Sequence, residues 1–141
     1  MMHCPCSGVN IPRFLLSVVA GFIFVFGLDF VVHQNLLVEL YEQTKDLWRF
    51  EETMAEFFPL YLGHSLLLVV ITGFIFTRHF EGKGVCEGLR FGAMIGVLLA
   101  LMSSCSYIWM PIPLALALGW AVSGFATGLG LGVIYSLIYR K

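Results

Sequence analysis

Asp29 and His33 stand four residues apart in an otherwise apolar run, and His64 stands in a second such run. A carboxylate and two imidazoles can hold a divalent metal or pass protons, because histidine changes charge near neutral pH. The same groups can also do no chemistry and hydrogen-bond between helices as polar glue. Ionisable residues at membrane depth are costly and are by default candidates for function. The spacing is not that of a metalloprotease, which needs two histidines on one helix together with a glutamate. Polar glue, with Asp29 bonded to His33 or His64, is therefore the first reading. A metal or proton site is second, and an enzyme active site third, since no nucleophile and base stand in register.

Other reactive residues add little. Cys4 and Cys6 follow His3 in a His-Cys-Pro-Cys leader, but structural zinc takes four ligands, usually from two spaced pairs. The glycines between Arg78 and Arg90 lack the order of glycines, lysine and hydroxyl residue that makes a phosphate cradle, and His79 in this segment is expected to be solvated. No cofactor is expected, and the identity of any metal stays open.

The elements that must position these residues follow from composition. The chain has 141 residues, 59% hydrophobic and 12% charged, with mean hydropathy +0.89. Soluble domains carry about 25% charged residues, so a disordered chain is excluded and a water-soluble globule is not expected. A formal net charge of -1 with scattered Lys and Arg provides no basic field, so no nucleic-acid partner is expected. The partner is the lipid bilayer. Each helical crossing needs about 20 mostly apolar residues, which allows four crossings, at about 13–34, 57–78, 88–108 and 114–139. Backbone groups in lipid must be bonded internally, so the spans are helices. The expected fold is all-α, an integral membrane four-helix bundle that takes 1–141 as a single transmembrane domain. The first run lacks a small-residue cleavage site after Phe26 and is read as an uncleaved span.

Lys and Arg are retained on the cytoplasmic side. Arg13, Arg78, Lys83, Arg90, Arg140 and Lys141 fall on one side of this topology and only Lys45 and Arg49 on the other. Both termini are therefore expected in the cytoplasm. Asp29, His33 and His64 then lie at similar depth in the outer half of the bilayer, level with Ser103, Ser104 and Cys105. In the first outer loop Leu36, Leu37, Leu40, Tyr41, Leu47 and Trp48 recur at helical spacing opposite Glu39, Glu42, Gln43, Lys45, Asp46 and Arg49. This predicts an amphipathic helix over about 36–50 that seals the outer ends.

Two stripes of small residues predict how spans pack. Gly88, Gly92 and Gly96 continue into Ala100 and Ser104, and Gly124, Gly128 and Gly132 continue into Ser136. Helices in lipid gain little from hydrophobic burial against each other, so small residues that allow close backbone approach drive contact. The short turn with Pro111 and Pro113 makes the third and fourth spans antiparallel neighbours. The stripes are expected to meet within the chain, with a homodimer or larger membrane complex through one stripe as the alternative.

Several stretches carry a resemblance. Leu28-Asp29-Phe30-Val31-Val32-His33, Leu40-Tyr41-Glu42-Gln43-Thr44, Leu47-Trp48-Arg49, Phe80-Glu81-Gly82-Lys83-Gly84, Glu87-Gly88-Leu89-Arg90-Phe91-Gly92 and Pro111-Ile112-Pro113 resemble a bacterial family of small four-span inner-membrane proteins of unknown function. The likeness covers most of the chain beyond the leader. It implies a bacterial inner membrane and a single domain, and it supplies no activity. The resulting expectation is a non-enzymatic membrane protein acting as an accessory or assembly component through helix contacts. The runner-up is a small transporter or metal- or proton-binding protein using Asp29, His33 and His64. Few polar groups line the inner halves of the spans, which weighs against transport by a monomer.

Overall fold

The computed structural model describes residues 8–49 and 51–140; the His3, Cys4 and Cys6 cluster lies outside them. Helix α1 spans Ile11–Val31. The Asn10 side chain accepts from the Arg13 N–H, and Pro12 occupies the first turn, where its missing N–H costs nothing. Without a break it runs into a π-helical turn, Val32–Leu36. After it come α2 (Val38–Gln43), a 3-10 turn (Lys45–Leu47), α3 (Glu51–Glu56), α4 (Phe58–Arg78), α5 (Val85–Ser104), α6 (Ser106–Trp109) and α7 (Leu114–Ile138). No strand occurs among the described residues. Four helical segments, Ile11–Leu36, Phe58–Arg78, Val85–Trp109 and Leu114–Ile138, are long and apolar enough to cross a membrane. The chain is a multi-pass all-α membrane protein.

The first connecting segment departs from the single amphipathic helix expected over about 36–50. Thr44 breaks it. Its hydroxyl donates to the Leu40 carbonyl at 2.8 Å and accepts from Trp48 Nε1 at 3.0 Å, so the side chain competes with the helical ladder. The chain then tightens into the 3-10 turn and becomes extended at Trp48. The apolar side still packs down. Leu37 is buried, with Leu40, Tyr41 and Trp48 beside it, against Val32, Ile112, Leu116 and Ala117. Leu36 and Leu47 point outward instead.

Helix α7 packs against the three other spans, most extensively against α5, while α5 rests mainly on α7. The glycine stripes form that contact. Cβ atoms added at Gly92 and Gly96 would lie 2.6 Å from the Gly128 carbonyl oxygen and 2.7 Å from that of Phe125. One added at Gly124 would lie 3.0 Å from the Leu99 backbone, and Gly88 abuts Gly132 and Ser136. Both stripes are filled within one chain, leaving neither face for a second copy.

A core of Val18, Val25, Val69, Phe76, Leu131 and Tyr135 fills the space between α1, α4 and α7. The Tyr135 hydroxyl donates to the Val69 carbonyl at 2.9 Å and pairs with the Thr72 hydroxyl at 2.8 Å, so this phenol is satisfied inside the bundle. The first and last described residues meet nearby. The Asn10 N–H donates to the Tyr139 hydroxyl and its amide to the Arg140 carbonyl, at 3.3 and 3.0 Å. We call this the tail end; the short helices lie at the far end.

At the tail end one buried carboxylate shapes the turn between α4 and α5. Glu87, in the first turn of α5, accepts from the N–H groups of Glu81 at 2.6 Å and Lys83 at 2.8 Å. Gly82 and Gly84 supply the positive φ of this turn. Glu87→Ala leaves both N–H groups without their acceptor and is expected to cost about 1–2 kcal/mol. It should lower the thermal midpoint in detergent and speed proteolysis at Lys83. Unchanged values for both would remove the assigned role.

Candidate functional site

Five elements converge at the far end. Asp29 on α1 accepts from the Tyr61 hydroxyl of α4 at 2.9 Å. His33, on the π-helical turn, places Nδ1 2.6 Å from the Tyr41 hydroxyl of α2. Trp120 Nε1, from α7, donates to that same hydroxyl at 2.7 Å. The indole can only donate. The Tyr41 phenol therefore accepts from Trp120, while the direction of its bond with His33 Nδ1 follows the histidine tautomer. The rings of Tyr41, Trp48 and Trp120 pack around this chain, with centroids 5.4 to 6.5 Å apart.

These interactions tie the first span and α2 to α7. Tyr41 lies outside the membrane-spanning helices and only part of it is exposed. Burial pushes its phenol above the usual range, the Trp120 N–H draws it partly back, and the Asp29 charge adds to the rise.

Between these groups lies a cavity of about 430 Å³. Asp29, His33, Tyr41, Tyr61, His64 and Trp120 line it, together with Ser65, Ser103, Ser106, Ser123 and Thr127 and the apolar Val25, Leu68 and Leu99. Ser123 and Thr127 are buried, at 7% and 5% relative exposure. Among the described residues no buried side-chain oxygen or nitrogen lacks a hydrogen-bond partner.

The three residues singled out from the sequence thus border one cavity, with a different wiring. Asp29 hydrogen-bonds Tyr61 instead of either histidine, and His33 bonds Tyr41. His64 is exposed on α4 while contributing to the lining. Among the described residues no group of three or more His, Cys, Asp or Glu side chains is placed to hold a metal. Of the third-span residues expected at this depth, Ser103 borders the cavity, whereas Cys105 is exposed. Sequence reasoning missed Tyr61, Trp120, Ser123 and Thr127. A signal was present: Tyr61, His64, Ser65 and Trp120, Ser123, Thr127 recur at helical spacing, each a polar stripe on one face.

A second recess, about 270 Å³, lies at the tail end between α4 and α5 and is walled by Phe76, Phe91 and Met94. Its charges are largely matched. Glu81 meets Lys83 at 2.6 Å and Arg90 at 2.7 Å. Lys83 first and then Arg90 hold its exposed carboxyl below the usual range. His79 is exposed, its Nδ1 3.0 Å from the Ile75 carbonyl.

No family model, no curated protein and no solved structure matches this chain.

Proposed function

We propose that this chain is a non-enzymatic multi-pass protein of the bacterial inner membrane, with both tails cytoplasmic, that binds a small polar solute in the far-end cavity. One observation carries the reading: a cavity of about 430 Å³, bordered by Asp29, His33, His64, three aromatic residues and five serine or threonine residues as well as Val25, Leu68 and Leu99, sits among apolar helices. Glue alone needs no such space. A volume of this size falls in the range of small-molecule pockets, roughly 300–1,000 Å³.

The cation distribution supports the orientation. Arg13, Arg78, Lys83, Arg90 and Arg140 belong to the tail end, and Lys45 and Arg49 to the far end, as expected if the tail end is cytoplasmic. The cavity then faces the outer side. The resemblance to four-span bacterial inner-membrane proteins agrees with this placement and leaves the solute unnamed. An accessory role through helix contacts would draw on free glycine faces, and here those faces are filled inside the chain.

Cysteine labelling in cells tests this reading. In a variant with the native cysteines replaced, Ser123→Cys should react with a small membrane-impermeant thiol reagent added outside. Val122→Cys, whose site is 69% exposed on the apolar outer surface of α7, should stay unmodified, because thiolates do not form in lipid. A silent Ser123→Cys would remove the cavity from solvent and end the proposal. Labelling only from the cytoplasmic side would overturn the orientation.

A further inference from the structure

The groups around the far-end cavity are one-sided in charge. Asp29 contributes the sole carboxylate of the lining, and no lysine or arginine borders the space. One Asp29 oxygen accepts from Tyr61; the other has no hydrogen bond among the described residues. An anionic guest would find no lysine or arginine there. An inorganic divalent ion would find too few ligands, since oxygen-loving cations take six or more oxygens and no cluster of ligating side chains is present among the described residues. The rings of Tyr41, Tyr61 and Trp120 border the same space. Aromatic faces attract cations electrostatically, and organic ammonium ions are the guests such rings receive. The remaining volume, about 430 Å³, holds a small organic ion and is wasteful for a bare one.

We propose that the far-end cavity takes a monovalent organic ammonium ion, held by the Asp29 carboxylate against the rings of Tyr41, Tyr61 and Trp120. This rests on the solute-binding reading above and names the class of solute. Asp29 supplies the charge, the rings enclose the alkyl groups, and the Ser123 and Thr127 hydroxyls meet any polar substituent.

The test uses the full-length Ser123→Cys protein in membranes. A cationic and an anionic thiol reagent of similar size are applied, each rate normalised to that with a free thiol. The cationic reagent should react at least tenfold faster, and choline should slow the reaction while its uncharged tert-butyl analogue does not. Asp29→Asn, whose amide oxygen still accepts from Tyr61, should bring the two normalised rates together and abolish protection by choline. Asp29→Glu keeps the charge and should keep both effects. Equal rates in the parent, or equal protection by the neutral analogue, would overturn the ammonium assignment while leaving a solvent-open cavity intact. Loss of all labelling would instead sink the solute-binding reading itself.

Discussion

Gly128→Leu should prevent α5 and α7 from packing and leave little folded protein in mild detergent. A Cβ at this position would meet the backbone nitrogen and Cα of Gly96 and come within 2.8 Å of the Gly92 carbonyl oxygen. None of these atoms can rotate away, so relief requires the two helices to separate along their whole contact. Overpacking typically costs 1–3 kcal/mol. Against a fixed helix backbone the penalty should reach at least about 3 kcal/mol, a large share of the roughly 5–15 kcal/mol that stabilises an ordinary domain. Gly27→Ala is the control. Nothing lies within 4 Å of a Cβ there, and alanine in a helix interior is better than glycine by about 1 kcal/mol. Unfolding in mixed detergent micelles should place the two variants on opposite sides of the parent. A Gly128→Leu protein that unfolds with the parent would mean that close backbone approach does not hold this pair.

The contrast between those two glycines marks what the sequence could convey. A four-residue repeat on two adjacent spans states that backbones approach, and the short loop with Pro111 and Pro113 selects the partner. Gly88, Gly92 and Gly96 therefore declared their role, and hydropathy alone declared four helices. Polar wiring was less legible. The four-residue spacing of Asp29 and His33 promised a shared face, and both do border the cavity, yet they do not bond each other. Each residue instead finds a tyrosine: Tyr61, 32 residues on, for Asp29 and Tyr41, eight residues on in the connecting segment, for His33. Tyr41 reads as an interfacial aromatic, since nothing local indicates that Trp120, 79 residues later, will donate to it. The break at Thr44 was similarly hidden, because a threonine in an amphipathic pattern leaves the periodicity intact while its hydroxyl competes for the backbone.

Tyr41 is where that hidden wiring has the largest expected consequence at the far end. Tyr41→Phe keeps a ring against Trp48 and Trp120 but removes the acceptor of the Trp120 N–H and the hydrogen-bond partner of His33 Nδ1. Two partly buried groups lose partners, for an expected loss of about 1–2 kcal/mol. Tyr41→Ala removes the ring as well and should cost about 3 kcal/mol, seen as a lower thermal midpoint and faster proteolysis between α2 and α4. The pH dependence separates hydroxyl from ring. Burial raises the folded phenol above its ordinary value of 10.0, so folding favours the protonated form. That contribution is complete below the unfolded value and is lost as pH rises through the folded one. The stability gap between parent and Tyr41→Phe should therefore be constant near neutrality and narrow above about pH 10. A Tyr41→Phe protein with the parent's midpoint and tryptophan fluorescence at every pH would show that the phenol does not tie α2 to α7, and the cavity would lose the contact that fixes its far wall.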